Sequence, residues 1–339
     1  MSAPLPLRCT VTGGLGFIGS HLVDRLIADG CDVTAVDDLA TGRLENVAHH
    51  RDQPRLRVLR GDVSDPAVAA AACAGADRVF HLAALADIVP SIQRPLDYHR
   101  ANVDGTAQMV EAARKAGVGR FVYAASSSCY GLPDVYPTPE TAPARPEYPY
   151  ALTKYMGEQY VLFWARVYGL PAVSLRFFNV YGPRSRTSGA YGAVFGVFLA
   201  QKLAGRPLTV VGDGAQTRDF TFVTDVVDAL VRAADAAVTG EVFNVGSGGT
   251  HSINRLVELL GGEVTHLPRR PGEPACTHAD ITKIQAALGW SPRVSFEEGV
   301  AVMLAHLDDW RAAPVWTPES IAEATRDWFA FLGPKGAAP

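Results

Sequence analysis

The chain has 339 residues, 48% of them hydrophobic, and a net charge of −4 with acidic and basic residues interspersed. That length buries a large core, as one large domain or two fused ones. With no block of Lys and Arg, the composition excludes a surface built to neutralise a nucleic-acid backbone, and no stretch approaches the ~20 apolar residues of a membrane span.

The opening residues, MSAPLPLRCTVTGG, hold no apolar run of signal-peptide length. Cys9, Cys31, Cys73, Cys129 and Cys276 are scattered and lack metal-ligand spacing. They read as small buried hydrophobes in a reducing compartment. A cytoplasmic protein is expected, with no membrane contact, no nucleic-acid partner and no metal.

In chain order, Leu7–Thr12, Asp32–Val36, Leu56–Leu59, Val79–Leu82 and Phe121–Ala124 are short apolar runs. Longer segments with helical spacing, Phe17–Asp29 and Asn102–Ala116, lie between them, and Gly30 and Gly117 follow where C-terminal caps belong. Strands alternating with helices predict an α/β fold, a Rossmann-type doubly wound parallel sheet. From Tyr181 onward Gly and Pro become frequent, which predicts a smaller C-terminal substrate-binding lobe. The expected division is a dinucleotide-binding domain over 1–180 with returning elements near 208–250, a lobe over 181–332, and a flexible tail over 333–339. Ala172–Arg176 and Val242–Val245 still read as buried strands.

The first strand runs into TGGLGFIGSH, with Gly13, Gly16 and Gly19 spaced G-x-x-G-x-x-G. Such a turn must be tight, approach a pyrophosphate closely and pack its helix hard on the strand. The helix that follows offers free N–H groups and the positive end of its dipole. Asp37 ends the second strand, where an acid accepts from adenosine ribose hydroxyls and repels a 2′-phosphate. NAD is therefore the predicted cofactor. Asp62 follows the third strand, where a side chain either reaches the adenine amine or merely closes a turn.

Tyr150 and Lys154 form Y-x-x-x-K, one turn apart on one face of a helix beginning near Pro149. A free tyrosine, with a pKa of ~10, is a poor base at neutral pH, and lowering it by ~3 units takes ~4 kcal/mol. A nearby ammonium and a cationic nicotinamide ring favour the phenolate. Tyr150 then takes the proton of a sugar hydroxyl, with Ser126 orienting that hydroxyl. Ser126, Ser127 and Ser128 follow the strand Phe121–Ala124, at the end where ligands bind in parallel sheets.

These motifs, in this order, resemble the extended short-chain dehydrogenase/reductase family and, within it, the nucleotide-sugar 4-epimerases. The resemblance runs from TGGLGFIGSH through VDDLATG, GDVSD, HLAA, NVDGT, ASSSCYG, YALTK, RFFNVYGPR, TRDFTFV and RRPGE to LGWSP at 288–292. It implies Ser126, Tyr150 and Lys154 as catalytic residues, Lys154 also holding the nicotinamide ribose. It implies NAD contacts at Phe17, Ile18, Asp38, Asp62, Val63, Leu82, Ala83, Ala84, Asn102 and Phe177. Toward a nucleotide-diphosphate sugar it implies Ser128, Asn179, Thr277, Asp280 and two phosphate-gripping arginines, Arg218 and Arg270. Small Thr277 implies room at C2 of the hexose. Related 4,6-dehydratases carry Asp-Glu where this chain has Ser127-Ser128, and Cys129 replaces a usual valine.

The segments ALADIVPSIQRP (84–95) and SRTSGAYGAVFG (185–196) are expected to line the sugar pocket. Trp316 and Trp328, in the ending VWTPESIAEATRDWF, read as packing rather than ligand contacts. The leading functional expectation is C4 epimerisation through a 4-keto sugar, with UDP the family's default nucleotide. A net C4 oxidoreductase is the second reading. A non-catalytic sensor is the third, and it would have no reason to keep Ser126, Tyr150 and Lys154 together. The family also implies a homodimer through a four-helix contact of Asn102–Ala116 and Tyr150–Tyr168.

Overall fold

The structure, a computed structural model, describes residues 5–185 and 192–333. The expected flexible tail therefore lies, after Gly333, outside the described residues. Seven strands make one parallel sheet: β1 (Arg8–Thr12), β2 (Asp32–Asp37), β3 (Leu56–Arg60), β4 (Arg78–His81), β5 (Arg120–Ser126), β6 (Ala172–Phe177) and β7 (Glu241–Val245). Their order is β7-β6-β5-β4-β1-β2-β3. The chain starts in mid-sheet, winds out to β3, then returns to β4 and winds the other way. This is the doubly wound topology, and it leaves a crevice at the carboxyl ends of β1 and β4.

Composition explains the depth of each strand. Every residue of β5 and β6 is buried, as befits inner strands covered on both faces. Edge strand β3, LRVLR, is half exposed. Leu22, Leu26, Val226 and Leu230 of the helices Phe17–Ala28 and Val223–Asp235 fill one face of the sheet. Met109, Val110 and Val161 of Gly105–Ala116 and Pro149–Tyr168 fill the other. The last helix starts with Pro149 at its first turn and ends at Gly169, φ 71°.

The remaining segments build the second lobe around Tyr181, Phe195, Phe220, Phe222, Phe296 and Trp310. Two-stranded ladders join 180–181 to 221–222, 217–218 to 251–252, and 208–211 to 264–267. Within the expected returning stretch 208–250, Leu208, Val210, Phe220 and Val223 belong to the lobe's own core, and residues from Val226 to Val245 belong to the sheet's core. Ile284 and Trp290 join the sheet's core from beyond it, and Trp290 Nε1 donates to the Asp225 carbonyl at 3.1 Å.

Two local expectations differ from the structure. The segment expected as one helix over Asn102–Ala116 opens with a π-helical turn, Arg100–Asp104, before the α-helix. Four cysteines are buried as expected, but Cys276 is partly exposed on the loop leading to Thr277.

Candidate active site

A single cavity of about 720 Å³ runs from the carboxyl ends of β1 and β2 to the second lobe. Its cofactor end is shaped by backbone. Gly13 sits at φ +67°, and a Cβ there would lie 2.9 Å from the Ala83 nitrogen. A Cβ on Gly19 would come within van der Waals overlap of the Gly13 carbonyl oxygen, so the first turn of the helix rests directly on the loop. Gly13 N–H donates to the Val36 carbonyl at 2.8 Å and Gly16 N–H to the Gly13 carbonyl at 3.0 Å, which closes the turn. This tight loop, which leaves no room for side chains between itself and the backbone around it and opens onto a helix N-terminus, fits a pyrophosphate.

Gly13, Gly16, Phe17, Ile18, Gly19, Asp37, Asp38, Asp62, Val63, Leu82, Ala83, Ala84 and Phe177 all line this end. Asp37 has a second task. Its Oδ2 accepts from Leu15 N–H at 3.0 Å and its Oδ1 from Leu39 N–H at 2.8 Å, so it braces the glycine loop as well as facing the cavity. Burial raises its pKa, with those two N–H groups opposing the rise. Asp62 closes a turn through Ser64 N–H at 2.8 Å and accepts from Arg100 at 2.7 Å. Asn102 is not at the wall. It is fully buried, and its carboxamide clamps Leu85 N–H (2.8 Å), the Leu85 carbonyl (3.0 Å) and Thr153 Oγ1 (3.0 Å). It therefore orients the wall segment that carries Leu85.

In mid-cavity β5 delivers its serines and the helix Pro149–Tyr168 its first turns. Tyr150 and Lys154 line the wall together. Ser126 is set behind it, 8% exposed, while Ser127 and Ser128 face the space. Ser126 joins the site by a hydrogen bond shared with the Tyr150 hydroxyl, and its Oγ accepts from Ser128 N–H at 3.2 Å.

Burial lowers the Lys154 pKa to about 7, with Glu158 opposing. Its ammonium sits 4.4 Å from the centroid of the Tyr123 ring. Burial raises Tyr150, the Ser126 hydrogen bond pulls it back, and the Asp87 carboxylate adds to the rise. The depressed tyrosine expected from the sequence is thus not produced by the chain alone. Dehydration of the ring outweighs the Ser126 hydrogen bond.

At the far end Arg218 and Arg270 converge, as expected, but on a carboxylate that sequence reasoning left unassigned. Arg218 donates to Glu273 Oε1 at 2.8 Å, and Arg270 lies 3.9 Å from Oε2. Glu273 Oε2 is buried without a hydrogen-bond partner. Its signal was present in RRPGE, where only the arginine was assigned. Asn179 lines the cavity and donates to Thr277 Oγ1 at 2.9 Å, and Asp219 N–H donates to the same oxygen at 3.1 Å. Asp280 stands away from the wall. Its Oδ1 accepts from Thr282 N–H at 2.9 Å and its backbone pairs with Thr138, so it starts the helix Thr282–Leu288 and ties a loop.

Tyr148 and Asp87 were also missed. Tyr148 stacks nearly parallel to Tyr150, 6.5 Å between centroids. Burial raises its pKa to about 12, with a hydrogen bond to Ser128 opposing. Residues 84–89 line the cavity, as do Ser185 and 192–196; residues 186–191 of the second expected pocket segment lie outside the described residues. Trp316 and Trp328, expected to serve packing, both face the cavity. No described helix is long and apolar enough to cross a membrane.

Comparison with known proteins places these features in a family. The model of the NAD dependent epimerase/dehydratase family matches residues 9–246. A UDP-glucose 4-epimerase of Mycolicibacterium smegmatis is 40% identical over 303 residues, 87% of this chain and 96% of that protein. UDP-glucuronic acid decarboxylase 4 of Arabidopsis thaliana is 36% identical, covering 88% of this chain and 68% of the plant protein. The crystal structure of a UDP-glucose 4-epimerase of Thermotoga maritima, solved with UDP-glucose, superposes with a TM-score of 0.84 at 35% identity, over 89% of this chain and 99% of that one.

Proposed function

Because the chain belongs to the NAD dependent epimerase/dehydratase family, whose cofactor is NAD, we propose that it inverts the configuration at C4 of a UDP-hexose through a transient 4-keto sugar. The observation that carries this reading is Tyr150 and Lys154 together on the cavity wall, with Ser127 and Ser128 where an eliminating enzyme would need acids.

The cradle of Gly13, Gly16 and Gly19 would hold the pyrophosphate of NAD, and Asp37 and Asp38 its adenosine ribose. When bound, NAD supplies the acceptor and donor for the C4 hydride. Tyr150 accepts the 4-hydroxyl proton as the C4 carbonyl forms and returns it as the alcohol re-forms, so no net redox change remains. Ser126 steadies the hydroxyl, and Lys154 favours the tyrosinate. Arg218 and Arg270 would exchange Glu273 for the diphosphate, each guanidinium gripping two oxygens. Asn179 and Ser128 flank the sugar, and small Thr277 leaves space for an N-acetyl group at C2.

The test is a panel of UDP-glucose, UDP-galactose, UDP-N-acetylglucosamine and UDP-glucuronic acid, with GDP and CDP analogues, followed by NMR and at 340 nm without added cofactor. An epimer with no lasting rise at 340 nm supports the proposal. A lasting rise with a released keto sugar makes the enzyme an oxidoreductase instead. Conversion of the uronate to a UDP-pentose makes it a decarboxylase, because a 4-keto uronate is a β-keto acid and loses CO2.

The same reading includes a homodimer. Phe163, Val167 and Tyr168 expose an apolar face on the helix Pro149–Tyr168, beside Trp164, whose Nε1 donates to Glu111 of Gly105–Ala116 at 3.1 Å. Light scattering at micromolar concentration should give twice the chain mass, and a monomer mass would remove the dimer from the proposal.

A further inference from the structure

Trp328 belongs to the last described helix, Arg326–Leu332, beyond the part of the chain that the family model matches. It is 5% exposed and faces the cavity. Three links hold it there. Its Nε1 donates to the Pro271 carbonyl at 2.7 Å, fixing the plane of the indole. The Arg270 guanidinium lies 5.8 Å from its ring centroid. The preceding Asp327 accepts from Gln93 at 3.0 Å, which ties the helix to Ile88–Gln93, just after Asp87.

Trp328 also meets Tyr148, tilted 43° with 6.2 Å between centroids, and Tyr148 stacks on Tyr150 at 6.5 Å; all three line the cavity. A continuous line of rings therefore runs from the diphosphate arginine to the catalytic tyrosine. A nucleotide-diphosphate hexose with its phosphates on Arg270 and its 4-hydroxyl on Tyr150 would bring its pyranose past Trp328 and Tyr148, which line the cavity between them.

We propose that Trp328, with Tyr148, is the platform on which the hexose ring rests, and that it governs retention of the 4-keto sugar between oxidation and reduction. This rests on the epimerase reading above. The chemistry suits it in two ways. The C–H bonds of a pyranose face pack well on an aromatic face, whose contact is apolar and broad. An epimerase must also hold the keto sugar in two orientations, one for each face. Hydrogen bonds would fix one orientation, whereas a non-directional apolar contact accepts both. The lobe that carries Trp328 thus keeps the intermediate in without holding it still.

The experiment compares UDP with UDP-glucose binding to the holoprotein by calorimetry, in a Tyr150→Phe background that prevents turnover, with Trp328 intact, as Trp328→Phe and as Trp328→Ala. The expected result is that Trp328→Ala weakens UDP-glucose about 5- to 10-fold, the worth of one aromatic contact, leaves UDP unchanged, and is largely rescued by Trp328→Phe. Equal losses for UDP and UDP-glucose would make Trp328 a mere support for Arg270 and overturn the proposal, and so would no loss for either. The measurement needs no turnover, so it stands even where the epimerase reading fails. With Tyr150 restored, Trp328→Ala should raise the fraction of turnovers that end in released keto sugar and a 340 nm signal; an unchanged fraction overturns the retention role.

Discussion

The two ends of the cavity are made of different material. At the cofactor end the shape comes from backbone: Gly13, Gly16 and Gly19 make a tight loop with no side chain of their own, and Asp37 braces that loop through Leu15 N–H. At the sugar end it comes from long side chains, Arg218, Arg270, Glu273, Tyr148 and Trp328, drawn from four separate segments. A backbone cradle recognises one shape and tolerates no added atom. A wall of side chains is adjusted residue by residue, and the relatives of this chain include both an epimerase and a decarboxylase by name.

The comparison breaks hardest where the two ends meet. Tyr150→Phe removes one oxygen there and should lower kcat by about 10²- to 10⁴-fold, the span of a lost general acid–base group. KM for the sugar nucleotide and the melting temperature should change little. A kcat within tenfold of wild type would return the proton transfer to another group.

The next largest effect tests the cradle. The Cβ of Gly19→Ala would overlap the Gly13 carbonyl, so the loop must move, at about 1–3 kcal/mol. Bound NAD and thermal stability should fall together. Gly30→Ala is the control. Gly30 also has positive φ, 84°, but a Cβ there meets nothing within 4 Å. It should cost about 1–2 kcal/mol of strain and leave NAD content unchanged. Equal NAD loss in both variants would mean that general destabilisation, not the cradle, governs binding.

Arg218→Lys probes the side-chain end. Lysine keeps the charge but loses the fork that grips two oxygens. KM for the UDP-sugar should rise about tenfold, near 1.4 kcal/mol, with kcat within about twofold. A fall in kcat alone would place Arg218 at the reacting carbon instead of the diphosphate.

The contrast also explains what the sequence disclosed. The glycine loop, the strand order and the Y-x-x-x-K helix are set within short contiguous stretches, where periodicity and turn chemistry speak directly. Tyr148, Asp87, Glu273 and Trp328 reach the cavity only through tertiary contacts. Nothing about a tryptophan near the end of the chain distinguishes a cavity wall from a core. Asp280 and Asn102 fail the other way. Both sit in family motifs, yet their side chains answer to local needs, a helix start for Asp280 and the clamped Leu85 backbone for Asn102. Tyr150 lines the wall, but its pKa direction was not legible, because dehydration depends on how deeply the fold closes around it.

The smallest effect lies beneath the cradle. His81, in HLAA, is fully buried between Thr12 Oγ1 (2.7 Å) and Thr106 Oγ1 (3.0 Å). Burial, with the Lys154 charge adding to it, lowers its pKa from 6.5 to about 3. It is therefore a neutral tie between β4 and the helix Gly105–Ala116, not an acid or base for the reaction. Between pH 6.5 and pH 3 the unfolded chain binds a proton here that the folded chain refuses, so stability drops as pH falls through that window, by up to about 1.4 kcal/mol per unit. His81→Gln removes this titration. From pH 6 to pH 4.5 its stability in urea should fall by roughly 1–2 kcal/mol less than that of the wild type, whatever its stability at pH 7. Parallel pH slopes for the two proteins would mean that His81 titrates normally and that the floor of the cradle admits water.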